Sequence, residues 1–154
     1  MPGGHFEAES MYCFCNEMIL IFHQKSMNAV RHATRPLPAT EGSVVTKAAL
    51  RAAASLEISN KALARILGVS EASVSRMGSG AYQLTPGDKP FEVAILFLRL
   101  FRSLDAIVAG DAAVAQAWLK NDHTALAGSP GVLIQSLAGL VTVVGYLDAR
   151  RALV

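Results

Sequence analysis

From Thr46 onward, apolar residues recur at helical spacing, and residues that cap or stop helices separate the runs. Thr46 reads as the cap of KAALRAAASLE, where Ala48, Leu50, Ala53 and Ala54 give one apolar side. Ser59 caps NKALARIL, which places Leu63, Ile66 and Leu67 on one face and Lys61 and Arg65 outside, and Gly68 stops it by taking a left-handed backbone without steric cost. Ser70 caps EASVSRM, whose inward anchor is Val74. GSGAYQLTPGDKP is rich in turn residues and predicts an ordered loop. Pro90 then opens a long helix, with Phe91, Ala94, Ile95, Leu98, Phe101, Leu104 and Ile107 expected inward and Arg99 and Arg102 outward. Asp111 caps AAVAQAWLKN, Ser129 and Pro130 open GVLIQSL, and GLVTVVGYLDARRALV ends the chain. The β-branched cluster Val141 to Val144 has no strand candidate to pair with, so it reads as helix.

The pattern predicts an all-α fold, a helix-turn-helix bundle over residues 43–104 followed by a small C-terminal helical domain over 105–154. Residues 1–42 show no sustained period, end in the linker-like ATRPLPATEGS, and read as a poorly ordered N-terminal arm. Met11, Met18 and Met27 within this arm are compatible with an over-extended start.

NKALARILGVSEASVSRM is the sharpest motif. A helix-turn-helix needs a small residue where its helices cross, a left-handed turn residue four later, and an apolar anchor six beyond that; Ala64, Gly68 and Val74 have this spacing. The predicted DNA-facing residues are Ser70, Glu71, Ala72, Ser73, Ser75 and Arg76, with Arg76 the leading contact and the serines and helix N-terminal amides suited to phosphate. Between Thr46 and Leu104 eight basic residues face four acidic ones. That surplus is modest, so one module would bind weakly and salt-sensitively, and a homodimer on paired half-sites of operator DNA is expected.

Composition narrows the remaining classes. Hydrophobic residues make up 52% and charged residues 17%, which leaves ample core material and argues against disorder over most of the chain. Residues 123–147 carry no charged side chain, but Gly128, Pro130, Gln135, Ser136 and Gly139 interrupt them, so they read as buried helix and no membrane partner is expected. The acidic start MPGGHFEAES does not resemble a secretory signal, and a cytoplasmic location is expected. Cys13 and Cys15 cannot form a disulfide across a fold, and with His5 and His23 they lack a structural zinc spacing, so free thiols and no metal are expected. An enzyme reading lacks inventory: His5, His23 and His32 lie in the unpatterned arm, His123 stands beside Asp122 as a surface pair, and no nucleophile motif or phosphate loop appears. No cofactor is expected.

In the C-terminal half, A-W-L-K-N (Ala117 to Asn121), L-A-G-S-P (Leu126 to Pro130), and A-G-L (Ala138 to Leu140) followed by Y-L-D-A-R-R (Tyr146 to Arg151) resemble the toxin-binding domain of the Xre/MbcA/ParS antitoxins. With the helix-turn-helix, the resemblance covers roughly residues 46–154 and excludes the arm. It implies an antitoxin that inhibits a RES-domain toxin, a class resembling ADP-ribosyltransferases that depletes NAD, and that represses the shared operon. It also implies a C-terminal domain seated over the toxin's cleft, with Trp118, Asn121, Tyr146, Asp148, Arg150, Arg151 and Val154 facing the toxin. From the residues alone, Trp118 reads as core and the two arginines as a solvated helix end. The loop from Gly78 to Lys89 is longer than a minimal repressor needs. Two alternatives stand beside this reading: a plain repressor whose C-terminal helices dimerise or bind a ligand, and a toxin binder that has lost DNA binding, since Ala72, Ser73 and Ser75 have short reach.

Overall fold

A computed structural model describes residues 40–152. Helix α1 spans Glu41–Ser55 and starts earlier than the pattern predicts. Its cap is Thr40, whose hydroxyl accepts from the Ser43 amide, while Thr46 lies inside the helix. The Thr46 hydroxyl donates to the Gly42 carbonyl at 2.6 Å and accepts from the Leu84 amide at 2.9 Å, both buried. A mid-helix polar residue that holds a distant loop looks, in sequence, like a helix boundary. The absence of a Cβ at Gly42 lets the Leu84 backbone come close, so the loop after the helix-turn-helix lies directly on α1.

Helices α2 (Asn60–Leu67) and α3 (Glu71–Gly78) follow the predicted boundaries. Ser59 accepts from the Ala62 amide at 3.2 Å and Ser70 from the Ser73 amide at 3.1 Å. Between them Gly68 takes φ 69°, ψ 33°, the left-handed turn required of it.

Helix α4 (Lys89–Ile107) is the central element, packed by α1 and α2 and most extensively by α7. Its buried set is Phe91, Val93, Ala94, Phe97, Leu100, Ser103 and Leu104. The expected inward face was therefore rotated: Ile95 is 43% exposed, and Leu98, Phe101 and Ile107 are only half-buried. Thirteen of its nineteen positions, counting Pro90, are apolar and lie on more than one side, so periodicity alone does not select the buried face, and the neighbouring helices decide it.

Helix α5 (Ala112–Lys120) begins at Asp111, whose carboxylate accepts from the Ala113 and Val114 amides. A short 3-10 turn (Thr124–Leu126) follows, enclosed by an isolated antiparallel bridge between His123 and Gly128. Helix α6 covers only Pro130–Leu133, shorter than expected, because the chain leaves it at Ile134, and Ser136, whose hydroxyl donates to the Leu133 carbonyl at 3.2 Å, already caps the next helix. At its start the Ser129 hydroxyl donates to the Leu119 carbonyl at 2.9 Å instead of capping. Helix α7 (Leu137–Arg151) starts at Ser136, which accepts from the Gly139 amide, and includes Val141 to Val144 as helix. A Cβ at Gly139 would collide with the Leu133 carbonyl, so glycine there permits the tight α6–α7 corner.

The helices share one hydrophobic core in which Phe97, Leu100, Leu140 and Val143 are completely buried. Among the described residues, no helix is long and apolar enough to cross a membrane. The cysteines and the histidines at 5, 23 and 32 lie outside the described residues.

Candidate functional site

The helix-turn-helix meets its geometric requirements. Ala64 is buried where α2 and α3 approach each other, Gly68 makes the turn, and Val74 anchors α3 in the core. Burying Val74 on the inner side sends Glu71, Ala72, Ser75 and Arg76 outward, all exposed, with Ser73 half-buried between them. The Ser70 and Ser73 hydroxyls lie 2.9 Å apart, and Arg76 Nη2 donates to Ser73 Oγ at 3.3 Å. Ser70, Ser73 and Arg76 thus form one hydrogen-bonded line along the exposed side of α3. The bond to Ser73 holds the guanidinium against its own helix.

The loop behind α3 is ordered by its own contacts. The Ala81 and Tyr82 amides both donate to the Arg76 carbonyl, at 2.9 and 3.2 Å, and the Leu84 side chain is buried. This fastens the last turn of α3 to α1 through Thr46. Leu84 was not singled out from sequence; its signal is a lone leucine amid turn residues.

The C-terminal candidates divide into two groups. Trp118, at the end of α5, is half-buried, with its ring centroid 4.8 Å from His123 and 6.4 Å from Tyr146. The Arg150 guanidinium lies 5.3 Å from the Tyr146 centroid, a cation over an aromatic face. Trp118, Tyr146 and Arg150 therefore form one row, extended by His123, whose Nε2 is 2.9 Å from the Trp118 carbonyl oxygen. The sequence placed His123 in a surface pair with Asp122; the structure gives it a half-buried place against Trp118 instead. Asn121 is exposed at the α5 terminus, next to the row in sequence.

Asp148 points to a different environment. Its carboxylate is 2.6 Å from Arg99 and accepts from the buried Ser103 hydroxyl at 2.9 Å, both on α4. The Ser103 hydrogen bond is the largest influence holding its pKa below the usual carboxylate range; burial opposes this, while the bond and charge of Arg99 and the charge of Arg151 add to the lowering. Asp148 thus braces α7 on α4. Arg151 is exposed at the last turn, and Val154 lies outside the described residues. Ser103 was missed in sequence, where it follows Arg102 and precedes Leu104 and Asp105 and so does not stand out from a polar segment. Among the described residues, no three His, Cys, Asp or Glu side chains group as metal ligands would.

Residues 35–99 match the family model of the antitoxin Xre-like helix-turn-helix domain, and residues 103–152 match that of the antitoxin Xre/MbcA/ParS C-terminal toxin-binding domain. No curated protein matches the chain. The first match ends within α4 and the second begins there, so the helix that carries the shared core also joins the helix-turn-helix domain to the toxin-binding one. The chain belongs to the Xre/MbcA/ParS-type antitoxins, the partners of cognate toxins in toxin–antitoxin systems.

Proposed function

We propose that the protein neutralises a RES-type, NAD-depleting toxin and represses its own operon as a cytoplasmic homodimer. It acts by binding, without catalysing a reaction. The row of Trp118, Tyr146 and Arg150 carries the toxin half of this reading: two aromatics and an arginine held side by side are the residue types that dominate protein interfaces, and they lie within the region matched to the toxin-binding domain. Asn121, Arg151 and Val154 complete the proposed contact surface, and Asp148 serves it by fixing α7. Seated on the toxin, this surface excludes substrate from the cleft by occupying space.

The exposed side of α3 supports the operator half. Ser70, Ser73 and the helix amides hold phosphate, Arg76 reaches a base edge or phosphate, and Glu71, Ala72 and Ser75 set what the groove can fit. Two copies reading paired half-sites offset the small charge surplus of one module.

The test is co-expression with the product of the neighbouring gene, followed by co-purification and measurement of cellular NAD. A stable complex, with NAD collapsing when the neighbour is expressed alone and recovering with the antitoxin, is the expected result. Replacing Tyr146 and Arg150 with alanine together weakens the rescue. A toxic neighbour that leaves NAD unchanged overturns the RES assignment while leaving toxin binding in place. A protein that captures no toxic neighbour acts instead as a plain repressor.

A further inference from the structure

Between α1 and α4, lined at one point by Arg151 at the end of α7, lies an open groove of about 860 Å³. Ala48 and Ala52 from α1, with Ile95, Leu98 and Phe101 from α4, give it an apolar floor. These are largely the α4 residues that the pattern expected to face inward and the fold leaves partly uncovered. Arg51, Arg99, Arg102 and Arg151 also line it, and among the described residues no acidic side chain does. Arg99 is answered by Asp148. Among the described residues, Arg51, Arg102 and Arg151 have no ion-paired carboxylate.

The combination restricts the occupant. A small anion would satisfy the guanidiniums and leave the apolar floor wet. Nucleic acid would also satisfy them, but its hydrated sugar-phosphate backbone gains little from Ile95, Leu98 and Phe101. A second copy docked groove to groove would set like-charged arginines against each other, which costs free energy. A helix with an apolar ridge flanked by carboxylates meets both demands: the ridge covers the floor, and the carboxylates reach guanidiniums whose planar donors suit them. From Ile95 to Arg102 the α4 wall runs about two helical turns, enough to seat a short amphipathic helix.

We propose that the α1–α4 groove binds an acidic amphipathic helix of a partner protein. This site shares Arg151 with the proposed toxin surface, while its apolar floor, Arg51 and Arg102 belong to neither the toxin nor the operator surface. Because α1 also carries the loop behind α3 through Thr46, a helix seated here contacts the element that supports the DNA-reading helix.

The test uses the full chain and a fluorescein-labelled synthetic helical peptide with leucine at i, i+3, i+4 and i+7 and glutamate on the flanking positions. The matched peptide with lysine for glutamate is the control, and binding is read by fluorescence anisotropy. The acidic peptide is expected to bind at least about tenfold more tightly than the lysine peptide and to weaken as salt rises. Arg51→Glu with Arg102→Glu reduces its affinity at least about tenfold. Ile95→Asp, at an exposed position, weakens it with the circular dichroism spectrum unchanged, and Lys61→Glu, exposed on α2 and outside the groove, leaves it unaltered. Equal binding of the two peptides, no binding of the acidic one, or full affinity in both groove variants overturns the proposal. It is also overturned if the arginine reversals abolish binding of random-sequence duplex DNA without affecting the peptide, or if they dissociate a dimer seen by sedimentation, since the groove then serves nucleic acid or a second copy.

Discussion

Thr46 uses its hydroxyl as both donor and acceptor inside the protein, and the Leu84 amide depends on it. Thr46→Val keeps the shape and leaves that buried amide without a partner, at a cost of about 1–3 kcal/mol. Thr142→Val provides the comparison: its hydroxyl bonds the Ala138 carbonyl at an exposed position, so its removal is nearly neutral. Urea unfolding of both variants checks the contrast, and equal effects would show that the Leu84 bond contributes nothing. Asp148 gives a pH signature. Its folded pKa is depressed, so its contribution is intact above the ordinary carboxylate range and is lost as pH falls through the lowered value. Asp148→Asn is therefore less stable than the parent at neutral pH, and the gap closes in acid; a gap independent of pH would remove the charged brace from the account. Both residues are visible in sequence as polar interruptions of apolar runs. Their partners are not, because Leu84 lies 38 residues from Thr46 and Asp148 lies 45 from Ser103, and local periodicity contains no term for such pairings.

The helix-turn-helix and the long apolar helix show opposite limits of reading elements from sequence. In α2 and α3 each requirement is local: serine caps bond amides three residues on, Gly68 reverses the chain by its own backbone freedom, and the inner anchor follows at fixed spacing. The boundaries and exposed residues of α3 were consequently legible. In α4 apolar side chains lie on more than one side of the helix, and the positions of α1, α2 and α7 decide that Phe97 and Leu100 are buried while Ile95 is exposed. The Trp118 row lies between these limits: its members are conspicuous residue types, but their juxtaposition joins α5 to α7 and required the fold. A prediction follows from α3 itself. Arg76 is exposed and held by one long hydrogen bond to Ser73, so it can be freed for DNA at small cost. Arg76→Ala is expected to weaken binding to the DNA upstream of the gene by about 1–3 kcal/mol without changing thermal stability, as measured by fluorescence anisotropy and a melting curve. Unchanged affinity would move the DNA contact away from this helix.

At the scale of the whole molecule, the helix-turn-helix and toxin-binding halves are joined through α4. Its fully buried Phe97 and Leu100 belong to the same core as Leu140 and Val143 of α7. Polar ties reinforce the connection at the surface: Arg65 to Gln135 at 3.1 Å, Lys120 to Glu57 at 2.7 Å, and Gln116 to the Ser55 carbonyl at 2.8 Å. Exposed pairs of this kind add little individually, so the shared apolar core must supply most of the coupling. If it does, residues 40–152 unfold together. Trp118, the only tryptophan in the chain, reports on α5 and α7, while far-ultraviolet circular dichroism reports on every helix. Urea transitions followed by the two signals are expected to coincide, and a chain ending after Val108 is expected to lose stability because α4 loses its cover by α7. Separate midpoints, or a truncated chain that unfolds as stably as the parent, would show that the first four helices stand alone. Coincident transitions would also have a consequence for regulation: a partner bound only at α7 would stabilise α3 through the common unfolding equilibrium, so toxin engagement would raise the population of ordered α3 without touching it.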